Sequence, residues 1–226
     1  TIVSVNLFFH GKSTVLKHLV DKGFTADQLK ELIRQLMDLF PAEKYNWLGF
    51  SLGGRIAMML TELFPDRTEK LFLLAPDGLT ISPFYRLSTL NVPGRYLFKK
   101  SIDKADTMIR IAKVMRKYRF IDEKKYQLAM YHLESREYRQ RVYDVWMVFR
   151  LLRPDLDDLR KKIRQYDIKA ELYFGRYDKI ILPEWGKKLE TGLEKNVRII
   201  LVDAGHQLAR AAVLEQIGLK IKNDAG

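Results

Sequence analysis

Short apolar runs alternate along the chain with longer segments whose apolar residues recur at helical spacing. Residues 2–9 form one such run, which leads into the polar loop of residues 10–13. Four further runs are apolar on both faces and end in turns: residues 45–50, 71–75, 170–175 and 197–202. Such runs are typical of buried strands. We therefore predict five strands, the first of them at residues 2–9.

The segments between these runs predict helices. Thr25 is a suitable N-cap with Gln28 at the capping-box position, and Pro41 ends the apolar periodicity that follows. Helices of this kind are predicted at residues 25–40, 56–64 and 207–222. Strands apolar on both faces that alternate with helices predict the α/β class, with a mostly parallel sheet flanked by helices.

The middle of the chain has a different pattern, because helical periodicity continues there without a strand-like run. Helices are predicted at residues 104–120, 123–134, 135–152 and 155–166. We therefore predict two domains. Residues 1–81 and 167–226 form an α/β core, and residues 82–166 form an all-helical cap inserted into it.

Composition limits the possible classes of protein. With 226 residues, of which 47% are hydrophobic and 30% charged, the chain is globular and has room for one or two domains. It contains no cysteine, which excludes disulfides, thiolate nucleophiles and cysteine-ligated zinc. Because no apolar run reaches the ~20 residues of a membrane helix, we predict no integral membrane segment.

The net charge of +12 suggests an anionic partner, but the charge is unevenly distributed. Residues 1–81 carry 9 basic and 9 acidic side chains, and residues 167–226 carry 10 and 9. Residues 82–166 carry 21 basic and 10 acidic side chains. The excess positive charge therefore belongs to the predicted cap.

A candidate nucleophile lies between the second apolar run and the helix that follows it. Gly49, Ser51 and Gly53 fit the pattern G-x-S-x-G, which places a serine on a sharp, strained turn from strand to helix. Small flanking residues let such a turn close. The backbone N–H of Leu52 would lie at the helix N-terminus, where a developing anion is stabilised.

A serine nucleophile needs a histidine base and an acid that orients it. Of the four histidines, His206 directly follows the last predicted strand; the others are His10, His18 and His132. Asp178 lies just past the preceding strand, and Asp77, after the third run, is an alternative acid. Asp203 is close to His206 in sequence, although a turn-capping role would explain it. The ends of parallel strands meet at one edge of a sheet, which favours Ser51, Asp178 and His206 as a set.

With these residues the chain resembles the α/β-hydrolase fold superfamily. The similarity lies in residues 49–54, in residues 175–178 with Pro183 downstream, and in residues 205–206. The resemblance implies that Ser51 is the nucleophile, Asp178 the acid and His206 the base, with the Leu52 N–H as one oxyanion donor. Serine rather than aspartate at the turn argues against the haloalkane dehalogenase and epoxide hydrolase branches.

The beginning of the chain departs from the family pattern. Residues 6–13 resemble the turn D-x-x-G-H-G-x-S, with Asn6 in place of the aspartate, so the earliest strands and the loop with the second oxyanion donor are expected to be absent. In a second alignment, residues 10–11 are the oxyanion motif and residues 15–23 the helix after it, which leaves one strand missing. We prefer the first alignment. The chain has no initiator Met, which agrees with missing first strands.

Together these observations predict a serine hydrolase that cleaves an ester or thioester of a small to medium, partly apolar acyl group. The basic cap would admit an anionic small-molecule substrate. We expect no cofactor, no metal, no nucleic-acid partner and a cytoplasmic location. A signal peptide upstream of the given residues would change the expected location. Two alternatives stay open: an acyltransferase with the same triad, and a non-catalytic binding protein of the same fold.

Overall fold

Four of the five predicted strands form one parallel sheet in the computed structural model, which describes residues 1–14, 17–119, 121, 123, 126–127, 130 and 135–224. Their order in the sheet follows their order in the chain. The strands are β1 (Tyr45–Phe50), β2 (Thr68–Leu74), β3 (Lys169–Gly175) and β4 (Val197–Val202). The predicted α/β class with a mostly parallel sheet is confirmed.

Helices occupy most of the remaining described residues, and short 3-10 turns lie at Pro65–Arg67 and Pro183–Gly186. Helices match the predicted helical segments; of residues 123–134, those that the structure describes (123, 126, 127 and 130) are helical, and the others lie outside the described residues. The helices at residues 83–90, 92–103 and 187–190 had not been predicted, and the helix at residues 17–22 was expected only in the second alignment. The helices are α1 (Lys17–Lys22), α2 (Ala26–Leu39), α3 (Leu52–Leu63), α4 (Pro83–Leu90), α5 (Val92–Asp103), α6 (Ala105–Lys117), α7 (Arg136–Phe149), α8 (Leu156–Gln165), α9 (Lys187–Glu190) and α10 (Ala211–Asp224).

The chain divides into two compact units. The sheet unit comprises Ala26–Thr80 and Leu152–Gly226, and the helical unit comprises Thr1–Thr25 and Ile81–Leu151. These units differ from the predicted domains at residues 1–25 and at α8. Leu159 and Ile163 of α8 belong to the core of the sheet unit, which explains why this helix groups with the sheet. The predicted boundaries of core and cap stay a prediction.

The strand predicted at residues 2–9 is wrong. Residues 1–7 lie outside the sheet, and Ile2 is 96% exposed. The only ring contacts described for Phe8 are with Phe24 and Phe149 of the helical unit, at centroid distances of 5.2 and 6.0 Å. Phe8 is half-buried, and its contacts are aromatic packing rather than strand pairing.

Helix α7 holds residues 17–24 within the helical unit. The backbone N–H of Phe24 donates to the carbonyl of Val148 at 2.7 Å, and the buried Arg150 guanidinium donates to the carbonyl of Asp21 at 2.6 Å. A buried guanidinium needs hydrogen-bond acceptors, and the carbonyl of Asp21 supplies one to Arg150 at the end of α7. These bonds explain why the first residues group with the helical segment.

The core of the sheet unit lies on both faces of the central strands. Leu71, Leu73, Leu172 and Tyr173 are fully buried, as expected for strands that helices cover on both sides. The carboxyl ends of β1, β3 and β4 meet at one edge of the sheet because the strands are parallel. The loops after these three strands carry the candidate site residues.

Candidate active site

Ser51 lies on a sharp turn between β1 and α3. Its backbone adopts φ 50° and ψ −115°, a conformation that side chains other than glycine rarely adopt. The N–H of Ser51 donates to the carbonyl of Leu74 at 2.9 Å, and the carbonyl of Ser51 accepts from the N–H of Asp77 at 2.9 Å. The neighbouring strand β2 and the loop after it therefore hold this strained turn in place.

Two of the glycines around Ser51 are required by close contacts, whereas a Cβ at Gly53 would meet no atom within 4 Å outside the adjacent backbone. A Cβ at Gly49 would lie 2.1 Å from the carbonyl oxygen of Gly53, and a Cβ at Gly54 would lie 2.7 Å from the Cβ of Pro76. Any side chain at Gly49 would therefore open the turn. This contact is the physical reason for the first glycine of the G-x-S-x-G pattern.

Asp178 lies in the turn after β3, and its side chain is fully buried. One carboxylate oxygen, Oδ1, accepts hydrogen bonds from the N–H groups of Ile180 at 2.8 Å and Ile181 at 3.1 Å. The other, Oδ2, lies 2.8 Å from Nδ1 of His206. The two backbone donors fix the carboxylate so that its second oxygen points at the imidazole.

His206 lies in the turn after β4, between Asp178 and Ser51. Its Nε2 lies 3.3 Å from Oγ of Ser51, and its side chain is 18% exposed. The ring of Phe50 packs against the imidazole, with the two centroids 5.2 Å apart. Gly175 lets the turn after β4 come close to β3, because a Cβ there would lie 2.2 Å from the carbonyl oxygen of Gly205. The structure thus brings Ser51, His206 and Asp178 into one hydrogen-bonded row.

The two alternative acids have other partners. Asp77 forms a hydrogen-bonded ion pair with Arg55, whose side chain is almost completely buried in the first turns of α3. The side chain of Asp203 is 77% exposed and lies 3.9 Å from the guanidinium of Arg176. Asp178 is therefore the acid that meets His206.

Leu52 is the first residue of α3, so its N–H lies at the N-terminus of the helix beside Ser51. The first N–H groups of a helix have no partner inside it, and the helix dipole favours negative charge there. This position agrees with the predicted oxyanion role of Leu52, which stays a prediction. His10 and His18 lie in the helical unit, and His132 lies outside the described residues.

Sequence reasoning missed Phe50 and the pair of Arg55 and Asp77. Phe50 is the last residue of a predicted strand and a variable position of the motif, and nothing in the sequence relates it to a histidine 156 residues later. Arg55 follows the motif directly, and a charged residue at the start of an otherwise apolar helix was a signal that could have found this pair. The pair joins α3 to the loop whose N–H binds the Ser51 carbonyl.

The row of side chains is suited to moving a proton. With a proton on Nδ1, His206 donates to Asp178, and its Nε2 lone pair faces the Ser51 hydroxyl. Among the side chains that the structure describes, no group of three or more His, Asp or Glu is arranged to hold a metal ion. None of the helices in the described part of the chain is long and apolar enough to cross a membrane.

Comparison with known proteins gives the family. The sequence matches the family model described as "alpha/beta hydrolase fold" over residues 1–208. A curated relative, the 2-hydroxy-6-oxononadienedioate/2-hydroxy-6-oxononatrienedioate hydrolase 1 of Pseudomonas putida, is 19% identical over 192 residues. That match covers 83% of this chain but 65% of the relative, so the chain spans less than two thirds of its length.

Solved structures with the same fold include two enzymes. An alpha/beta hydrolase from a Medee basin deep-sea metagenome library, MGS-M2, has a TM-score of 0.55 at 15% identity, covering 92% of this chain and 73% of its own. The enol-lactonase of Burkholderia xenovorans LB400 has a TM-score of 0.52 at 19% identity, covering 95% and 77%. At these identities the similarity is one of fold.

Proposed function

Because the chain belongs to the alpha/beta hydrolase fold family, we propose that it is a serine hydrolase that cleaves an ester or thioester of a small to medium, partly apolar acyl group. The observation that carries the proposal is the row from Ser51 Oγ through His206 to Oδ2 of Asp178, with distances of 3.3 and 2.8 Å. A serine on a strained turn, a histidine base and a buried acid are the parts of a nucleophilic triad.

The first half-reaction forms an acyl-enzyme. Ser51 Oγ attacks the carbonyl carbon of the substrate while its proton passes to Nε2 of His206. The imidazolium that results is stabilised by the charge of Asp178, whose orientation the N–H groups of Ile180 and Ile181 fix. The carbonyl oxygen becomes an oxyanion, which the N–H of Leu52 stabilises at the start of α3.

Collapse of this tetrahedral intermediate expels the alcohol or thiol, which takes the proton from Nε2 of His206. Water then enters, and His206 removes a proton from it as it attacks the acyl carbon. A second tetrahedral intermediate collapses, the proton returns to Ser51 Oγ, and the acid is released. Atoms and protons balance with no cofactor.

The surroundings of His206 support this role. The Phe50 ring packs on one side of the imidazole, and the partial burial of His206 limits the water around it. Hydrogen bonds between charged groups are stronger where water is excluded. The imidazole is therefore held in the orientation that both proton transfers need.

The test is covalent labelling with a fluorophosphonate probe, which reacts with activated serines. We expect the full chain to be labelled and the Ser51→Ala variant to show no labelling. The Ser4→Ala variant is a matched control, because Ser4 is an exposed serine in the first residues of the helical unit. It should be labelled as strongly as the unchanged protein.

Absence of Ser51-dependent labelling in a folded sample would contradict the proposal and favour a binding protein of this fold. Labelling with turnover of nitrophenyl esters to the free acid supports hydrolysis. If the acyl group instead appears on an added alcohol or amine in preference to water, the same triad acts in acyl transfer.

A further inference from the structure

Helix α6 presents an apolar stripe to solvent. Ile111, Val114 and Met115 recur at the spacing of one helical face, and Tyr118, which caps the helix, continues it. These four side chains are 39–64% exposed. A single exposed apolar residue is ordinary, but four of them aligned on one helix face are typical of a surface that binds a membrane or another protein.

The stripe is a second apolar face, separate from the one that packs on the protein. At about 100° per residue, the buried Ala112 lies to one side of the stripe, while Arg110, Lys113 and Lys117 lie to the other. The helix is thus buried along one sector, cationic along a second and exposed and apolar along a third.

The segment around α6 is strongly cationic. Residues 99–119 contain 8 Lys or Arg and 2 Asp, and one of these, Asp103, is paired with Arg136 at 2.8 Å. Long cations also lie beside exposed aromatic rings: Nζ of Lys117 lies 5.9 Å from the ring centroid of Tyr118. Cations flanking an exposed apolar and aromatic stripe are the features of helices that lie in the interface of an anionic bilayer.

We propose that α6 docks on the surface of an anionic lipid bilayer. The apolar stripe enters the boundary between headgroups and acyl chains, and Arg110, Lys113 and Lys117 contact lipid phosphates. Tyr118 would lie at headgroup depth, where its ring and hydroxyl are both accommodated. This proposal concerns attachment alone and does not depend on the chemistry proposed for Ser51.

Charge complementarity favours a lipid surface over a second copy of this chain. Two copies meeting through α6 would place two strongly cationic segments against each other, and like charges at close range oppose association. An anionic bilayer neutralises the cations and removes the stripe from water in one step. Nucleic acid would meet the cations, but an aliphatic stripe offers it little surface for stacking.

The experiment is co-sedimentation of the full chain with vesicles of two compositions, phosphatidylcholine alone and phosphatidylcholine mixed with phosphatidylglycerol. We expect binding to the mixed vesicles, weak binding to the neutral ones, and loss of binding as salt is raised. Screening by salt shortens the reach of the cations, which is why the binding should weaken.

Two variants separate the cationic and apolar contributions. Each Lys removed near the bilayer should weaken binding about fivefold, so Lys113→Gln with Lys117→Gln predicts a loss of about 25-fold. Ile111→Ser with Val114→Ser should weaken binding at least about tenfold while leaving its salt dependence in place. All four side chains are exposed, so the fold should be retained, which circular dichroism would check.

The matched controls lie in the sheet unit. Lys188→Gln with Lys195→Gln removes the same charge, and Leu39→Ser removes an apolar side chain that is itself exposed. Neither should change vesicle binding by more than about twofold. Equal loss in the controls, equal binding to neutral vesicles, or α6 variants that bind unchanged would each overturn the proposal. The proposal would also be overturned if the protein formed a dimer that did not bind vesicles and the α6 variants were monomeric.

Discussion

The carboxylate of Asp178 has different partners for its two oxygens. Oδ1 accepts from the N–H groups of Ile180 and Ile181, whereas Oδ2 faces Nδ1 of His206. An amide in the same position could keep the backbone bonds through its oxygen and would then present its NH2 group to the imidazole. Nδ1 of His206 would have to accept, so Nε2 would carry the proton and could not take one from Ser51.

This geometry predicts the effect of Asp178→Asn. The turnover number kcat for a nitrophenyl ester should fall by about 10³–10⁴-fold near neutral pH, because the imidazole is held in the wrong tautomer. KM should change little, since no substrate contact is altered. Steady-state kinetics measures both constants.

The control for Asp178→Asn is Asp203→Asn, which removes an exposed carboxylate only three residues from His206. Its kcat should stay within about twofold of the unchanged protein. Equal losses in the two variants would show that Asp178 has no special relation to His206 and would contradict the assignment of the acid.

At this scale the sequence predicted which residues meet but not what surrounds them. Ser51, Asp178 and His206 each follow a strand, and parallel strands bring their carboxyl ends together. Asp77 follows β2 in the same way, so the order of the residues left two acids open, and the structure shows which one meets His206. Phe50 ends β1 and contacts His206 in the turn after β4, and no local pattern specifies a contact between residues so far apart in the chain.

Among the elements, α3 connects the candidate site to the opposite end of the sheet unit. Ser51 precedes its first turn, and Glu62 lies in its last turn beside the start of α8. The pKa of Glu62 is raised to about 8, mainly because the side chain is buried. A hydrogen bond from the N–H of Asp155 lowers this pKa, and the negative charge of Asp158 raises it. Among the described residues, Oε1 of Glu62 has no hydrogen-bond partner.

The raised pKa of Glu62 makes the packing of α3 on α8 dependent on pH. The folded state holds a proton on Glu62 that the unfolded chain releases above its ordinary pKa of 4.5. The free energy of unfolding should therefore fall as pH rises from about 4.5 to about 8. The Glu62→Gln variant should not show this decline. Near pH 9 its free energy of unfolding should exceed that of the unchanged protein by about 1–2 kcal/mol, since partial exposure of Glu62 reduces the full effect of the pKa shift.

Urea unfolding at about pH 6 and about pH 9 measures the difference. The exposed Glu69 on β2 provides the comparison, since Glu69→Gln should leave the pH dependence of unfolding as it is. A Glu62→Gln variant whose stability declines with pH as steeply as before would contradict the assignment of this proton.

Elements with clear periodicity were predictable, and those defined by tertiary partners were not. The runs that became β1 to β4 are apolar on both faces, which matches a covered parallel sheet. Residues 2–9 show the same composition, yet Phe8 packs on Phe24 and Phe149 instead. An apolar run this short specifies neither burial nor pairing, because both depend on a neighbour that the run itself does not specify, and Ile2, Val3 and Val5 are exposed.

For the whole molecule, the two units differ sharply in charge. The residues of the helical unit, 1–25 and 81–151, carry 19 basic and 8 acidic side chains, while those of the sheet unit carry 21 and 20. The candidate triad belongs to the nearly neutral unit. The excess of basic side chains therefore affects which ligands or surfaces the molecule binds rather than proton transfer at Ser51.

A net charge of +12 should favour anionic substrates at low salt. For the nitrophenyl ester of a dicarboxylic acid, which keeps one free carboxylate, raising ionic strength from about 10 to about 150 mM shortens the screening length from about 30 to about 8 Å. Its kcat/KM should fall at least about threefold, whereas that of nitrophenyl butyrate should stay nearly constant. The kcat of both esters should be unaffected, because screening acts on encounter rather than on the buried carboxylate of Asp178. An equal response of the two esters would mean that the charge of the helical unit serves attachment alone and has no part in selecting what reaches Ser51.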